Sequence, residues 1–333
     1  MGKEGTAKMK CDAIWVVDYK KIEVRPLEVP EPQFHEVQIE TKACGVCCWD
    51  AYQYQGMSGP GPYPYVIGHE AVGIIRKVGA GVKNFKPGDR VWCAGGSVIE
   101  MAQYFNIEEA AMAKIPGDVA EDDYDTFVSY VSEPTVTVQN VLNWAKIVPG
   151  EHVVLVGGGY MGQLTLMGLQ VYPWGKLTVF EPNPARLEMV KKYNLTEAYD
   201  PHSPEGQEAI ARIIAEGGAD NVIEFSACDE GFELAMKIAR SQQSRITVGS
   251  WHRHEMKFDG TYFHMGGVIL NNVSPNTTFH YLDTIPQTAA LIDRGVYKPG
   301  TLVTHVANYK DCAHVFDRAV DKKDGYIKGV ITF

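Results

Sequence analysis

"HVVLVGGGYMG", residues 152–162, is the stretch whose reading decides the fold of this 333-residue chain. "HVVLV" (152–156) fits a short buried strand, and "YMGQLTLMGLQVY" (160–172) has the spacing of a helix. Between them the glycines at 157, 159 and 162 spell G-x-G-x-x-G. In that context Gly157 permits a tight turn, Gly159 lets the backbone approach a pyrophosphate, and Gly162 lets the helix pack closely on the strand. The N–H groups at the helix start, around Tyr160 and Met161, then face the phosphates with a partial positive charge. A second strand, "KLTVF" (176–180), ends at Glu181, where an acid can bind ribose hydroxyls. Its charge opposes a 2′-phosphate, which favours NAD(H) over NADP(H), while Arg186 is the residue that could accept a phosphate instead.

Working outward, "NVIEF" (221–225), "RITVG" (245–249) and "GVIL" (267–270) read as further strands, with helical segments at 205–216 and 229–240. This alternation predicts a doubly wound parallel sheet covered on both faces. Upstream, the chain is rich in β-branched residues broken by Pro and Gly. Val37, Ile39 and Thr41 alternate as in a short antiparallel strand, and "PGDRV" reads as a turn feeding another. The expected organisation is α/β in two parts: a partly closed β-barrel domain from residues 1–135 and 276–333, and a dinucleotide-binding domain over 136–275.

A net charge of −10 argues against nucleic acid or an anionic membrane as partner. No long uninterrupted apolar run occurs, and "MGKEGTAKMK" lacks the core of a signal peptide. A cytoplasmic protein is expected. Its seven cysteines are odd in number and scattered, unlike a disulfide framework, so reduced thiols are the default. Cys44 and Cys47 form a lone CxxC with no second pair at zinc-ribbon spacing. His69 and Glu70 of "GHE" follow Cys47 at a distance in sequence, and a catalytic zinc needs three N, S or carboxylate ligands with one open position.

"ACGVCCWD", "VIGHEAVGIIRKVGAGVKNFKPGDRV", "EPTVTVQNVL", "VLVGGGYMG" and "LVTH" stand in the order and near the spacing of the zinc-dependent medium-chain dehydrogenases. The chain resembles that alcohol dehydrogenase superfamily from Met9 to Phe333, most nearly its polyol branch of sorbitol and threonine dehydrogenases. The resemblance implies a GroES-like catalytic domain beside a Rossmann domain, and a zinc held by Cys47 and His69. It further implies that Glu70 approaches or binds the metal, and that Glu133 of "SEPTV", standing where other branches have a second cysteine, binds it directly or through water. Cys44 and Cys48 become bystanders, Asp50 a supporting residue, and Lys328 a basic residue near the cofactor phosphates. The implied activity is NAD-dependent interconversion of a secondary alcohol and its ketone, on a small polyol, sugar-like or cyclitol substrate, by a homodimer or homotetramer. Two other readings are a zinc-free enone or quinone reductase of the same fold and a non-catalytic dinucleotide-binding protein; the retained Cys47, His69, Glu70 and Glu133 favour the dehydrogenase.

Two departures from the family pattern stand out. After "GDRV" only Cys93 remains of a four-cysteine lobe, so one catalytic zinc per chain and no structural zinc is expected. Two residues after Cys47, where relatives carry a Ser or Thr that starts a proton relay, stands Trp49, with Tyr52 three positions on. An indole N–H donates but cannot accept a proton. Three routes remain, a zinc-bound water, Tyr52, or Glu70 or Glu133 as the base, and a water shuttled by a carboxylate is preferred. Trp49 is expected to lay a flat face against the substrate, with Tyr52, Tyr54 and Tyr104 as further candidates to line the pocket. "WHRH" (251–254), "FHMGG" (263–267) and His305 are read as loop and packing positions.

Overall fold

The computed structural model describes residues 8–274 and 281–333. It separates into two compact units, one formed by residues up to Val136 together with Leu282–Phe333, the other by Thr137–Tyr281. The second boundary read from the sequence, at 275/276, lies outside the described residues. Among those described, no helix is long and apolar enough to cross a membrane.

In the first unit, β1 (Lys8–Asp18) pairs antiparallel with β2 (Lys21–Pro30). The long strand β3 (Glu36–Val46) leads into the short helix α1 (Cys48–Tyr54), and β4 (Tyr65–Val66) adds to the other side of β1. β5 (Ala71–Val78), β6 (Arg90–Cys93), β7 (Tyr104–Glu108) and β8 (Met112–Lys114) follow. β3 is the spine of a seven-stranded sheet, pairing antiparallel with both β5 and β7. Val37, Ile39 and Thr41 lie in this antiparallel strand, and Gln38 between them is also buried, so that nearly all of β3 is enclosed. Two irregularities in the β3–β5 register, at Gln38/Ile39 and Thr41/Ala43, give the strand the bends a curled sheet needs. Helix α2 (Tyr124–Ser129) is capped by Asp123, whose side chain accepts from Thr126 N–H. The chain then passes into the second unit along α3 (Glu133–Ala145).

The second unit is a parallel sheet of β9 (His152–Val156), β10 (Lys176–Phe180), β11 (Glu197–Tyr199), β12 (Asn221–Glu224), β13 (Arg245–Val248) and β14 (Ile269–Asn272), in the order 11-10-9-12-13-14. Numbered from its first strand this is 3-2-1-4-5-6, the doubly wound dinucleotide-binding order. All four residues 153–156 of β9 are buried, as a strand covered on both faces requires. Between the strands run α4 (Tyr160–Leu169), α5 (Pro184–Val190), α6 (Pro204–Ala215), α7 (Asp229–Ile238) and α8 (Gly260–Gly266). Two boundaries differ from the sequence reading. α4 stops at Leu169, short of 172, because the chain must leave the helix before Pro173. The strand read at 267–270 begins at Ile269, because Gly267 is the left-handed cap of α8, with φ 58°.

Back in the first unit, α9 (Thr284–Asp293), β15 (Val303–Asn308), α10 (Ala313–Asp321) and β16 (Lys328–Thr332) complete the chain. β16 pairs antiparallel with the end of β3, Gly329 opposite Val46 and Val330 opposite Gly45, and parallel with β15. That register places the first residue of β16 beside the turn from β3 into α1. Ile39, Phe105, Val315, Phe316 and Ile331 share the core of this unit, so the returning segment is part of the same hydrophobic nucleus.

Candidate metal centre and dinucleotide turn

β3 hands the chain to Cys47, which sits in extended conformation (φ −83°, ψ 162°) at the N-cap of α1. Asp50, three residues on, accepts from the Cys47 backbone N–H at 2.8 Å through Oδ2. Its other oxygen, Oδ1, is buried without a hydrogen-bond partner and lies 3.7 Å from His69 Nδ1. One fully buried carboxylate thus steadies the backbone of Cys47 and the ring of His69 together. His69 and Glu70 occupy the turn between β4 and β5, and Gly45 N–H donates to the Glu70 carbonyl at 3.1 Å. The result is that one ligand atom each from Cys47, His69 and Glu70 lie within 4.8 Å of one another. Tetrahedral donors around zinc, at about 2.0–2.3 Å from the ion, are themselves about 3.3–3.8 Å apart, within this spread.

Glu70 is the most constrained member. It is fully buried, and neither carboxylate oxygen accepts a well-directed hydrogen bond. Its near cation is Lys328, whose Nζ lies 2.5 Å from Oε2 and donates to the Val46 carbonyl at 3.1 Å. Gly45 must be glycine here: a Cβ on it would sit 2.0 Å from Glu70 Oε2 and 2.6 Å from Val131 Cγ1. Lys328 was expected at the cofactor phosphates; the structure buries it to 3% exposure, with its ammonium committed to Glu70 and Val46.

The charges in this pocket pull against one another. The hydrogen bond between Cys47 and Cys48, with the sulfurs 3.9 Å apart, pushes the Cys47 thiol well below its usual range despite burial, and raises that of Cys48. Burial pushes His69 down, but Asp50, Cys47 and Glu133 outweigh it and favour the charged ring. At Glu70 burial dominates and holds the carboxyl near 8, although Lys328 and His69 pull it down. Burial likewise raises Asp50 to about 6. Glu133, nearly buried at the start of α3, supplies no atom to the 4.8 Å group, yet its charge bears on both His69 and Glu70. Once they release their protons, the Cys47 thiol, the His69 ring and the buried Glu70 carboxyl form a donor set that suits a zinc ion.

Trp49 and Tyr52 are half-buried and stand three residues apart on α1, one turn of one face. Tyr54 is a packing residue instead: it is buried, stacks obliquely on Phe316 and donates its hydroxyl to Asp317 at 3.1 Å. Sequence reasoning missed Glu100. This fully buried acid accepts from Ala71 N–H at 2.8 Å, its backbone N–H donates to the Gly68 carbonyl at 3.0 Å, and burial raises its carboxyl to about 8. The one available signal was a lone acid in the apolar run "SVIEMAQY".

In the second unit, Gly157 follows β9 with φ 102°, and a Cβ there would meet the Phe225 carbonyl carbon at 2.8 Å. A Cβ on Gly162 would fall 2.0 Å from the Gly157 carbonyl oxygen, so the third glycine is what lets α4 lie against the turn. Gly159 is the N-cap of α4, followed by the half-buried Tyr160 and Met161. Glu181 is buried, its Oε2 accepting from Gly158 N–H at 2.6 Å and its Oε1 from Asn183 N–H at 2.8 Å. It therefore holds the turn. Arg186 reaches back over the glycines, its Nη1 3.8 Å from where a Cβ on Gly159 would stand. The cradle, helix start and guanidinium fit a pyrophosphate.

Residues 33–123 match the alcohol dehydrogenase GroES-like domain family. The chain is 24% identical to the uncharacterized zinc-type alcohol dehydrogenase-like protein YdjJ of Escherichia coli K12, over 91% of this chain and 93% of that protein. It is 22% identical to the sorbitol dehydrogenase of Bacillus subtilis, over 94% of each. Among solved structures, the alcohol dehydrogenase rspB of Escherichia coli CFT073, complexed with NADH, shares the fold: the TM-score is 0.83 at 21% identity, covering 97% of this chain and 99% of that one.

Proposed function

Because this chain is a member of the zinc-type medium-chain alcohol dehydrogenase superfamily, we propose that it interconverts a secondary alcohol and its ketone with NAD(H), using one catalytic zinc. The substrate class is a polyol, sugar-like or cyclitol alcohol. The observation that carries this reading is the convergence of Cys47, His69 and Glu70 within 4.8 Å around carboxylate oxygens that accept no well-directed hydrogen bond.

Cys47 and His69 would hold the zinc, with Glu70 and Glu133 beside it. When bound, the metal supplies a Lewis acid that lowers the pKa of an alcohol, and the nicotinamide supplies the hydride acceptor. This chain's own residues do the rest. Asp50 fixes Cys47 and His69 from behind. Trp49 offers an apolar face to the substrate but takes no proton. Glu70 and Glu133, with a water, would replace the missing hydroxyl relay. In the second unit the glycine turn, α4 and Arg186 receive the pyrophosphate, and Glu181 favours an unphosphorylated ribose. The relative named sorbitol dehydrogenase supports a polyol-like substrate, and the NADH-bound structure supports a nicotinamide cofactor. Cytoplasmic residence as a homodimer or homotetramer belongs to the same proposal.

The test compares wild type with Cys47→Ser, both purified without a metal-affinity tag, for zinc content and for NAD reduction across a panel of secondary alcohols. Loss of one zinc equivalent together with activity is the expected result. Full metal content in the variant, or undiminished alcohol oxidation, overturns the assignment.

A further inference from the structure

The sequence reading set "WHRH" aside as a packing segment, and the structure gives it a partner. Asp229, the first residue of α7, and His252 and His254, on the segment after β13, bring one ligand atom each to within 4.8 Å of one another. The group lies wholly in the second unit and shares no residue with the Cys47 centre.

The state of His252 separates this group from a chance surface cluster. Its side chain is 3% exposed. Nε2 lies 3.0 Å from Oε2 of Glu224, a fully buried carboxylate at the end of β12. Glu224 also accepts from the backbone N–H of Ser226 and Ala227 and from the hydroxyls of Ser226 and Ser250. Glu224 thus holds the Nε2 side of the ring inside a web of contacts, while Nδ1 on the other side is buried without a hydrogen-bond partner. A carboxylate fixing one imidazole nitrogen so that the other is left bare is the way metal-ligating histidines are held. The ring is steadied further by the edge of Phe232, centroids 5.8 Å apart. The ring of His254 stands 6.2 Å away at 71°, and its Nε2 lies 2.6 Å from Asp229 Oδ1.

We infer that Asp229, His252 and His254 form a second metal site, taking a borderline divalent transition-metal ion of the zinc kind. Two imidazoles and one carboxylate suit such an ion and not calcium or magnesium, which take oxygen ligands. His254 and Asp229 are about half exposed, so water completes the coordination from the solvent side. The ion clips the segment after β13 to the first turn of α7, at the carboxyl ends of β12 and β13. In a doubly wound sheet that is the ligand-binding edge. The metal complement becomes two per chain, against the single ion expected from sequence.

The experiment uses full-length, untagged Cys47→Ser, stripped with chelator and titrated with Co²⁺ and then with Zn²⁺, so that the first centre does not contribute. The expected result is one tight equivalent whose visible cobalt bands come without thiolate-to-metal charge transfer, since no sulfur belongs to this site. Adding His254→Ala or Asp229→Asn, both at exposed positions, should weaken binding at least tenfold with near-ultraviolet circular dichroism unchanged. In otherwise wild-type protein His254→Ala should keep the thiolate–cobalt band of the Cys47 centre. No binding by Cys47→Ser, a thiolate band in its spectrum, or an affinity unmoved by both second substitutions overturns the inference. A missing thiolate band in wild type would instead tell against the Cys47 centre alone.

Discussion

Lys328 Nζ lies 2.5 Å from Glu70 Oε2 with both side chains buried, so the chain places an ion pair against its candidate metal centre. Removing one member of a buried pair strands the other, at about 3–5 kcal/mol. Burial already holds Glu70 near 8, so at pH 6 the carboxyl of the metal-free chain is protonated and loses little when the ammonium is removed. Chelator-treated Lys328→Met should therefore unfold at lower denaturant than wild type by a margin that grows from pH 6 to pH 9. The double variant Lys328→Met, Glu70→Leu should recover much of the loss at pH 9. Equal destabilisation at both pH values would mean that packing of the lysine stem, not the pair, is what the substitution removes.

Glu100 gives the metal-free chain a second pH dependence. An unfolded glutamate releases its proton near 4.5, and the folded one near 8 because of burial. The folded state therefore binds the proton more tightly, and this contribution to stability is fully present below pH 4.5 and is lost as pH rises through 8. The slope is at most about 1.4 kcal/mol per pH unit. With chelator present, the melting temperature should fall between pH 6 and 8.5. Glu100→Gln, which does not titrate and can still accept from Ala71 N–H, should fall less steeply; parallel curves would remove Glu100 as the cause.

Gly157, Gly159, Gly162 and Glu181 were legible because their chemistry is local: a strand, a turn and a helix in one short span, with the acid closing the next strand. Cys47 and His69 were legible only as a pattern along the chain. The role of Lys328 was not, because its partner Glu70 reaches it only through the pairing of β16 with β3, and no local period reports a register set between strands so far apart. His252 and His254 were seen in "WHRH" and set aside as loop and packing positions, because nothing local ties them to Asp229: a helix start and a loop meet only where parallel strands bring their carboxyl ends together. β11 escaped notice because three residues at a sheet edge carry too little pattern.

Trp49 predicts a change in specificity. It is half-buried two residues after Cys47, where its indole provides a flat apolar surface. Contact between a ring face and an indole contributes about 0.5–1.5 kcal/mol beyond area burial. Trp49→Ser should thus shift the ratio of kcat/KM for cyclic or sugar-like alcohols over small acyclic ones by up to about tenfold toward the acyclic. A steady-state comparison of one substrate from each class decides it, and an unchanged ratio makes Trp49 a packing residue.

Glu181 predicts how the cofactor is chosen. Both of its oxygens already accept a backbone N–H, from Gly158 and from Asn183, yet each retains a lone pair for a ribose hydroxyl. Glu181→Ala would unpair the Gly158 N–H and damage the turn, which confuses structure with recognition. Glu181→Gln can keep one of the two backbone contacts while removing the charge that opposes a 2′-phosphate. Like charges about 5–6 Å apart in a partly dry site repel by a few kcal/mol at most, so kcat/KM for NADP should rise about tenfold or more. Arg186, reaching over Gly159, should make that gain larger, and Glu181→Gln with Arg186→Ala should lose most of it. If the ratio of NAD to NADP efficiency is the same in wild type and Glu181→Gln, the carboxylate serves only to hold its own turn, and the preference for NAD must come from elsewhere in the second unit.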